Sequence, residues 1–207
     1  MENNYSFSVF NQYCAGGVSR VLGEYNAANR SPIIVCVGSD LVLGDSLGPL
    51  VGTLLKQKGV GTYIYGTLNC PITAKEIEYA KTYLKQLHPE SFIIAIDAAV
   101  GASDDIGLIK LQNKGLRPGL GVNKSLGEIG DVSIIGIVAT KTFQNYSLFN
   151  TTRLNLVYKM ATKNRRRNHG LYRQTRTPAR YLKKSPRRAL FYLLSENGSH
   201  QFSIFRL

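Results

Sequence analysis

Three runs along the chain are apolar at almost every position: Ile33-Ile34-Val35-Cys36-Val37, Phe92-Ile93-Ile94-Ala95-Ile96 and Val132-Ser133-Ile134-Ile135-Gly136-Ile137-Val138. Runs of this length, rich in β-branched residues and bounded by Pro, Gly or charge, predict strands buried on both faces. Residues 62–65 and 107–111 predict two shorter strands. Between them the period changes. Ile77, Ala80, Leu84 and Leu87 recur at helical spacing behind Thr73-Ala74-Lys75-Glu76, a capping box, and Pro89 stops the helix. A second helix is predicted over about 46–58, with Pro49 in its first turn where a missing N–H does no harm. A third covers about 146–161. Residues 1–30, rich in Asn, Ser, Tyr and Gly, show only a patch at Val18, Val21 and Leu22 and predict a loose segment with at most one helix.

Apolar strands alternating with helices predict an α/β layer fold on a mostly parallel sheet, over residues 31–162. In such sheets ligands gather beyond the carboxyl ends of the strands. Aspartates stand there. Asp40 and Asp45 lie in the loop after the first strand, and Asp97 follows Ile96 directly. Two nearby carboxylates resist joint ionisation and can share one proton, one acting as base toward water and the other as acid toward a leaving group. The plainer reading is local: Asp45 as the N-cap of the next helix, and Asp97 holding the backbone of a turn.

Other chemistries have less support. The segment from Gly38 to Gly48 is glycine-rich but lacks the lysine of a phosphate loop and the spacing of a dinucleotide fingerprint. Ser39 and Ser46 stand in no nucleophile elbow. His88, His169 and His200 read as solvated surface residues. Cys14, Cys36 and Cys70 form no CxxC pair and fit a reducing interior. Neither a signal peptide nor an apolar run of the ~20 residues needed to cross a bilayer is expected, which predicts a cytoplasmic protein with no membrane partner.

Five segments together carry a resemblance: residues 32–40, Gly44-Asp45-Ser46-Leu47-Gly48-Pro49 with its continuation to Gly52, residues 92–98, residues 124–137 and residues 152–157. They closely resemble the sporulation protein YyaC family of endospore-forming bacteria, over about residues 31–161. That family is related to the germination protease that degrades small acid-soluble spore proteins and, more distantly, to the hydrogenase maturation proteases. The resemblance implies a three-layer α/β/α fold with a twisted, mainly parallel sheet. It also implies a sporulation-associated peptidase acting on a protein or peptide substrate in the forespore or mother cell. The two catalytic aspartates of the germination protease match Asp45 and Asp97. Asp40 is then a neighbour that tunes the pair, Ser46 a supporting residue, and Glu128 and Asp131 residues that border the site or serve a turn and cap. The nickel-contacting histidine of the hydrogenase enzymes has no match, because residues 98–140 contain none. No cofactor or metal is expected. The alternative is a protein of the same fold that binds a peptide without cutting it.

Charge alters this picture only at one end. The chain carries 26 Lys+Arg against 13 Asp+Glu, a formal +13. Residues 163–207 hold 12 of those bases and one acid, so the preceding 162 residues carry only +2. Three readings of the basic segment stay open. It is an arm that neutralises nucleic-acid phosphates, with Tyr172 and Tyr181 stacking, a solvated extension, or the product of a frame change or read-through near residue 163. The apolar mixture elsewhere, 43% hydrophobic residues, excludes wholesale disorder.

Overall fold

A computed structural model describes residues 4–118, 127–141 and 152–162. In chain order the elements are β1 (Asn4–Ser8), α1 (Cys14–Tyr25), β2 (Pro32–Cys36), α2 (Leu47–Gln57), β3 (Ile64–Tyr65), α3 (Ile77–Leu87), β4 (Phe92–Gly101), β5 (Leu108–Gln112), β6 (Val132–Thr140) and α4 (Leu154–Ala161). The strands form one sheet in the order β1-β5-β6-β4-β2-β3. Strands β3, β2, β4 and β6 are parallel; β5 is antiparallel to β6, and β1 to β5. The protein is thus α/β with a mostly parallel six-stranded sheet and helices against both faces.

The apolar runs explain the order. Every residue of β2 is buried because β3 and β4 flank it and helices cover both its faces. On one face Ile34, Cys36, Ile94 and Ile96 pack with Val18, Val21 and Leu22 of α1 and Leu55 of α2. Leu47 of α2 and Val157 and Met160 of α4 extend that layer over Ala98 and Val138. On the other face Ile33, Val35, Val37 and Ala95 meet Ile77, Ala80 and Leu84 of α3. The predicted periodicity of α3 is therefore the face it buries, apart from the exposed Leu87.

Three expectations change. Residues 4–25 are not loose. Tyr5 and Phe7 pair along β5 and pack against the core, while Cys14, Ala15, Val18, Val21 and Leu22 bury one stripe of α1. The small and polar residues between those positions hid the stripe. Second, Asp97 does not end its strand, since β4 runs on to Gly101 beside β6. Apolar content falls after Ile96 because β2 stops there, so only one neighbour remains. Third, His88 is not simply solvated: its ring nitrogen and the Tyr65 hydroxyl share a hydrogen bond of 2.6 Å, and Tyr63 packs 4.7 Å from its ring. The part of the helix expected over 146–161 that precedes residue 152, and the basic segment 163–207, lie outside the described residues. Among the described residues no helix is long and apolar enough to cross a membrane.

Candidate active site: an aspartate pair at the carboxyl ends of β2 and β4

Strands β2 and β4 are parallel neighbours in register from Pro32 with Phe92 to Cys36 with Ile96. The Val37 amide adds a last bond to the Ile96 carbonyl at 2.8 Å. From β2 the chain passes toward β3, whereas β4 leads on to β5 and β6, so their carboxyl ends form a topological switch point, where open α/β sheets hold ligands. Asp97 is the first residue of β4 beyond the reach of β2.

The loop after β2 returns over this point. After Gly38 it passes Ser39 and Asp40, then closes a short 3-10 turn, Leu43–Ser46, that leads straight into α2. Two glycines let the backbones approach. A Cβ at Gly48 would collide with the Val37 carbonyl, so α2 could not rest on the end of β2. Gly66, at φ +80°, adopts the left-handed region that favours glycine, and a Cβ there would collide with the Cys36 carbonyl. The segment after Gly66 was not foreseen as part of this region. Ile72 pairs with Val37, its carbonyl accepts the Gly38 amide at 2.9 Å, and the Leu68 amide donates to the Thr53 hydroxyl of α2 at 2.9 Å. Its one sequence signal was Gly66, a turn residue just after a predicted strand.

This geometry places Asp45 near enough to Asp97 for its charge to act on it. Both are half-buried. Desolvation by burial pushes the Asp97 carboxyl well above the usual carboxylate range, and the nearby Asp45 charge pushes it further. Its hydrogen bond from the Ala98 amide, at 2.7 Å, offsets only part of this. Burial also raises Asp45, with partial relief from the Ser39 amide. Both carboxyls are thus held above their ordinary range, Asp45 by burial and Asp97 by burial and by the charge of Asp45. Asp45 does not cap α2: Ser46 holds that position, and no side chain bonds the helix amides there.

The other candidates fall elsewhere. Asp40 is exposed in the loop. The Ser46 hydroxyl donates to the Leu43 carbonyl at 2.7 Å and so closes the 3-10 turn that carries Asp45. Glu128 accepts from Arg117 at 2.6 Å rather than meeting either aspartate. Asp131 stands at the opposite end of β4, where it binds Arg30 and the Ile93 amide. Cys36 lies close to the pair, but burial pushes its thiol up to about 12, which leaves almost no thiolate nucleophile at neutral pH. Among the described residues no three His, Cys, Asp or Glu side chains gather in a way that could hold a metal ion.

Residues 9–164 match the family described as "Protein of unknown function (DUF1256)". The chain is also 42% identical over 136 residues to "Uncharacterized protein YyaC" of Bacillus subtilis (strain 168). That alignment covers 65% of this chain and 66% of the relative, just under two thirds of the relative's length. The family match stops where the basic segment begins, so the aspartate pair lies inside the matched region and nearly all of residues 163–207 outside it. With three quarters of its length matched and this close a relative, the chain belongs to the YyaC family.

Proposed function

We propose that the protein is an aspartate-dependent peptidase of spore-forming bacteria, built on a three-layer α/β/α fold like that of the germination and hydrogenase maturation proteases. The observation that carries this is the Asp45–Asp97 pair, in which the charge of one carboxyl raises the pKa of the other at the sheet's switch point. Divergent environments of two neighbouring titratable groups assign the acid and the base. Asp97, the more strongly raised, is assigned as the acid of the pair and Asp45 as the base. Asp45 takes a proton from a water whose oxygen bonds to the scissile carbonyl carbon. Asp97 gives its proton to the departing nitrogen as the C–N bond breaks. Asp45 then returns a proton to Asp97, and one water has been consumed. Ser46, by closing the 3-10 turn, positions Asp45. Asp40, exposed on the same loop, is a supporting residue.

The substrate class is a protein or peptide, with small spore proteins as first candidates, encountered in the cytoplasm of the forespore or mother cell. The experiment is to incubate the full chain with small acid-soluble spore proteins and follow cleavage by mass spectrometry. Asp45→Asn and Asp97→Asn are run in parallel, with folding checked by circular dichroism. Loss of cleavage in both folded variants supports the pair. Undiminished cleavage in either rejects it, and tight binding by wild type without cleavage supports the peptide-binding platform instead.

A further inference from the structure

One flank of α3 carries rings where the other carries charge. Tyr79 and Tyr83, one turn apart, lie on the flank toward β3, while Glu78 and Lys81 pair at 3.0 Å on the far flank. Strand β3 is the edge of the sheet. Its side chains alternate: Ile64 enters the core against α1 and α2, and Tyr65 turns to the α3 side, as does Tyr63 two residues earlier. With His88 at the end of α3 these rings form one chain of contacts. Tyr79 lies 6.0 Å from Tyr83, Tyr83 6.2 Å from Tyr65, Tyr65 5.7 Å from His88, and His88 4.7 Å from Tyr63. The bond between the Tyr65 hydroxyl and His88 fixes the middle of the chain. Its ends face water: Tyr79 is 73% exposed and Tyr63 64%, with Leu87, one turn after Tyr83, at 53%.

The shape and charge of this surface select its occupant. Apart from the 20° between Tyr79 and Tyr83, the ring planes meet at 52–82°, so the surface is ridged. Nucleobases stack on open, flat faces and need cations along the strand. Neither cation–ring contact among the described residues involves these rings. The exposed parts of Tyr63, Tyr79, Tyr83 and Leu87 come to about 400 Å², half of the ~800 Å² per partner of a standard interface, too little for a second copy of the chain. A slender ligand suits the space. The hydroxyls of Tyr63, Tyr79 and Tyr83 have no partner among the described residues and can donate to its carbonyls. A polyproline II segment leaves all its carbonyls free, advances ~6.2 Å every two residues, close to the ring spacings, and wedges its pyrrolidine rings between aromatic side chains. We infer that this edge is a docking site for a proline-rich peptide segment of a partner protein. The site is separate from the aspartate pair and does not depend on its chemistry.

The test titrates the full chain into fluorescein-labelled decaproline and follows fluorescence anisotropy, with a Gly-Ser decapeptide, decathymidylate and cellohexaose as competitors. Saturable binding of decaproline is expected, with none of the competitors displacing it. Tyr79→Ser and Tyr63→Ser, both at exposed positions, should each weaken it about tenfold, and Tyr83→Phe, which keeps the ring and removes the donor, about threefold. Tyr158→Ser, at an exposed tyrosine of α4 far from these rings in the contact chain, should leave it unchanged, and circular dichroism melting confirms that each variant is folded. No saturable binding, displacement by any competitor, or indifference to Tyr79→Ser and Tyr63→Ser overturns the inference. So does a dimer in sedimentation that Tyr79→Ser dissociates, which would assign the edge to a second copy.

Discussion

Asp131 and Asp97 are the same residue type, one beside the start of β4 and the other midway along it, and their surroundings differ in sign. Asp131 stands beside the start of the strand. One of its oxygens accepts from Arg30 at 2.9 Å and the other from the Ile93 amide at 2.7 Å, while Arg30 also reaches the Ser91 carbonyl and lies 5.3 Å from the Phe92 ring centre. These contacts tie the loop before β6 to the start of β4. Asp97 has the Ala98 amide as donor, and the charge that acts on it is a second carboxylate, Asp45. A protein that needed only a brace at Asp97 could have used the arrangement it already has at Asp131. An uncompensated carboxyl pair costs stability, and such costs concentrate at functional sites.

The comparison can be broken most severely through the scaffold. Gly66→Ala forces a side chain into the Cys36 carbonyl at a left-handed φ, and should cost roughly 3–5 kcal/mol, at the extreme of single substitutions. Chemical denaturation would show it as a collapse of the midpoint; a loss below 1 kcal/mol would mean the backbones at the carboxyl end can separate freely. Asp131→Ala removes a paired brace. It should cost about 1–2 kcal/mol, after allowing for the pair's being a third exposed.

Asp97→Asn should move the other way. Its carboxyl is held above the unfolded value near 4, so the folded state keeps a proton that the unfolded chain releases. Stability therefore falls as pH rises from about 4 through the folded-state value, and the penalty is complete above it. The asparagine variant should melt at a higher temperature than wild type at pH 7, with the gain disappearing below about pH 4. A lower melting temperature at both pH values would make Asp97 a brace like Asp131. The smallest effect belongs to Arg117→Ala. Its pair with Glu128 is exposed, so stability should change by no more than about 0.5 kcal/mol. Cleavage should be unchanged as well, since Glu128 meets neither aspartate.

The strands that build the switch point were legible because burial on both faces leaves an uninterrupted apolar run, and Asp97 was found as the first polar residue after one. Legibility failed where a structure depends on partners distant in sequence. The strand Asn4–Ser8 has an alternating, polar pattern with a neighbour on one side only, and no local signal shows that β5, a hundred residues later, completes it. The length of β4 was missed for a related reason: Ala98 to Gly101 are small residues whose strand conformation comes from β6, not from their own propensity. In the site, the types and positions of Asp45 and Asp97 could be read from sequence. Their mutual charge could not, and neither could Asp45's failure to cap α2. Both follow from the 3-10 turn Leu43–Ser46, which holds Asp45 one residue before the N-cap of α2.

Because β4 outruns β2, it has strand partners on both sides over Ile94–Ile96 and on one side only over its last five residues. Its amides should record this as a gradient in hydrogen exchange. Those of Ile94 and Ile96 should open only with the whole molecule, whereas those near Val100, beyond the register shift, should open in local fluctuations. Asp97 marks the change between these regimes. The pair is thus anchored on a rigid floor at one end and borders, at the other, a length of backbone that can yield without unfolding the protein.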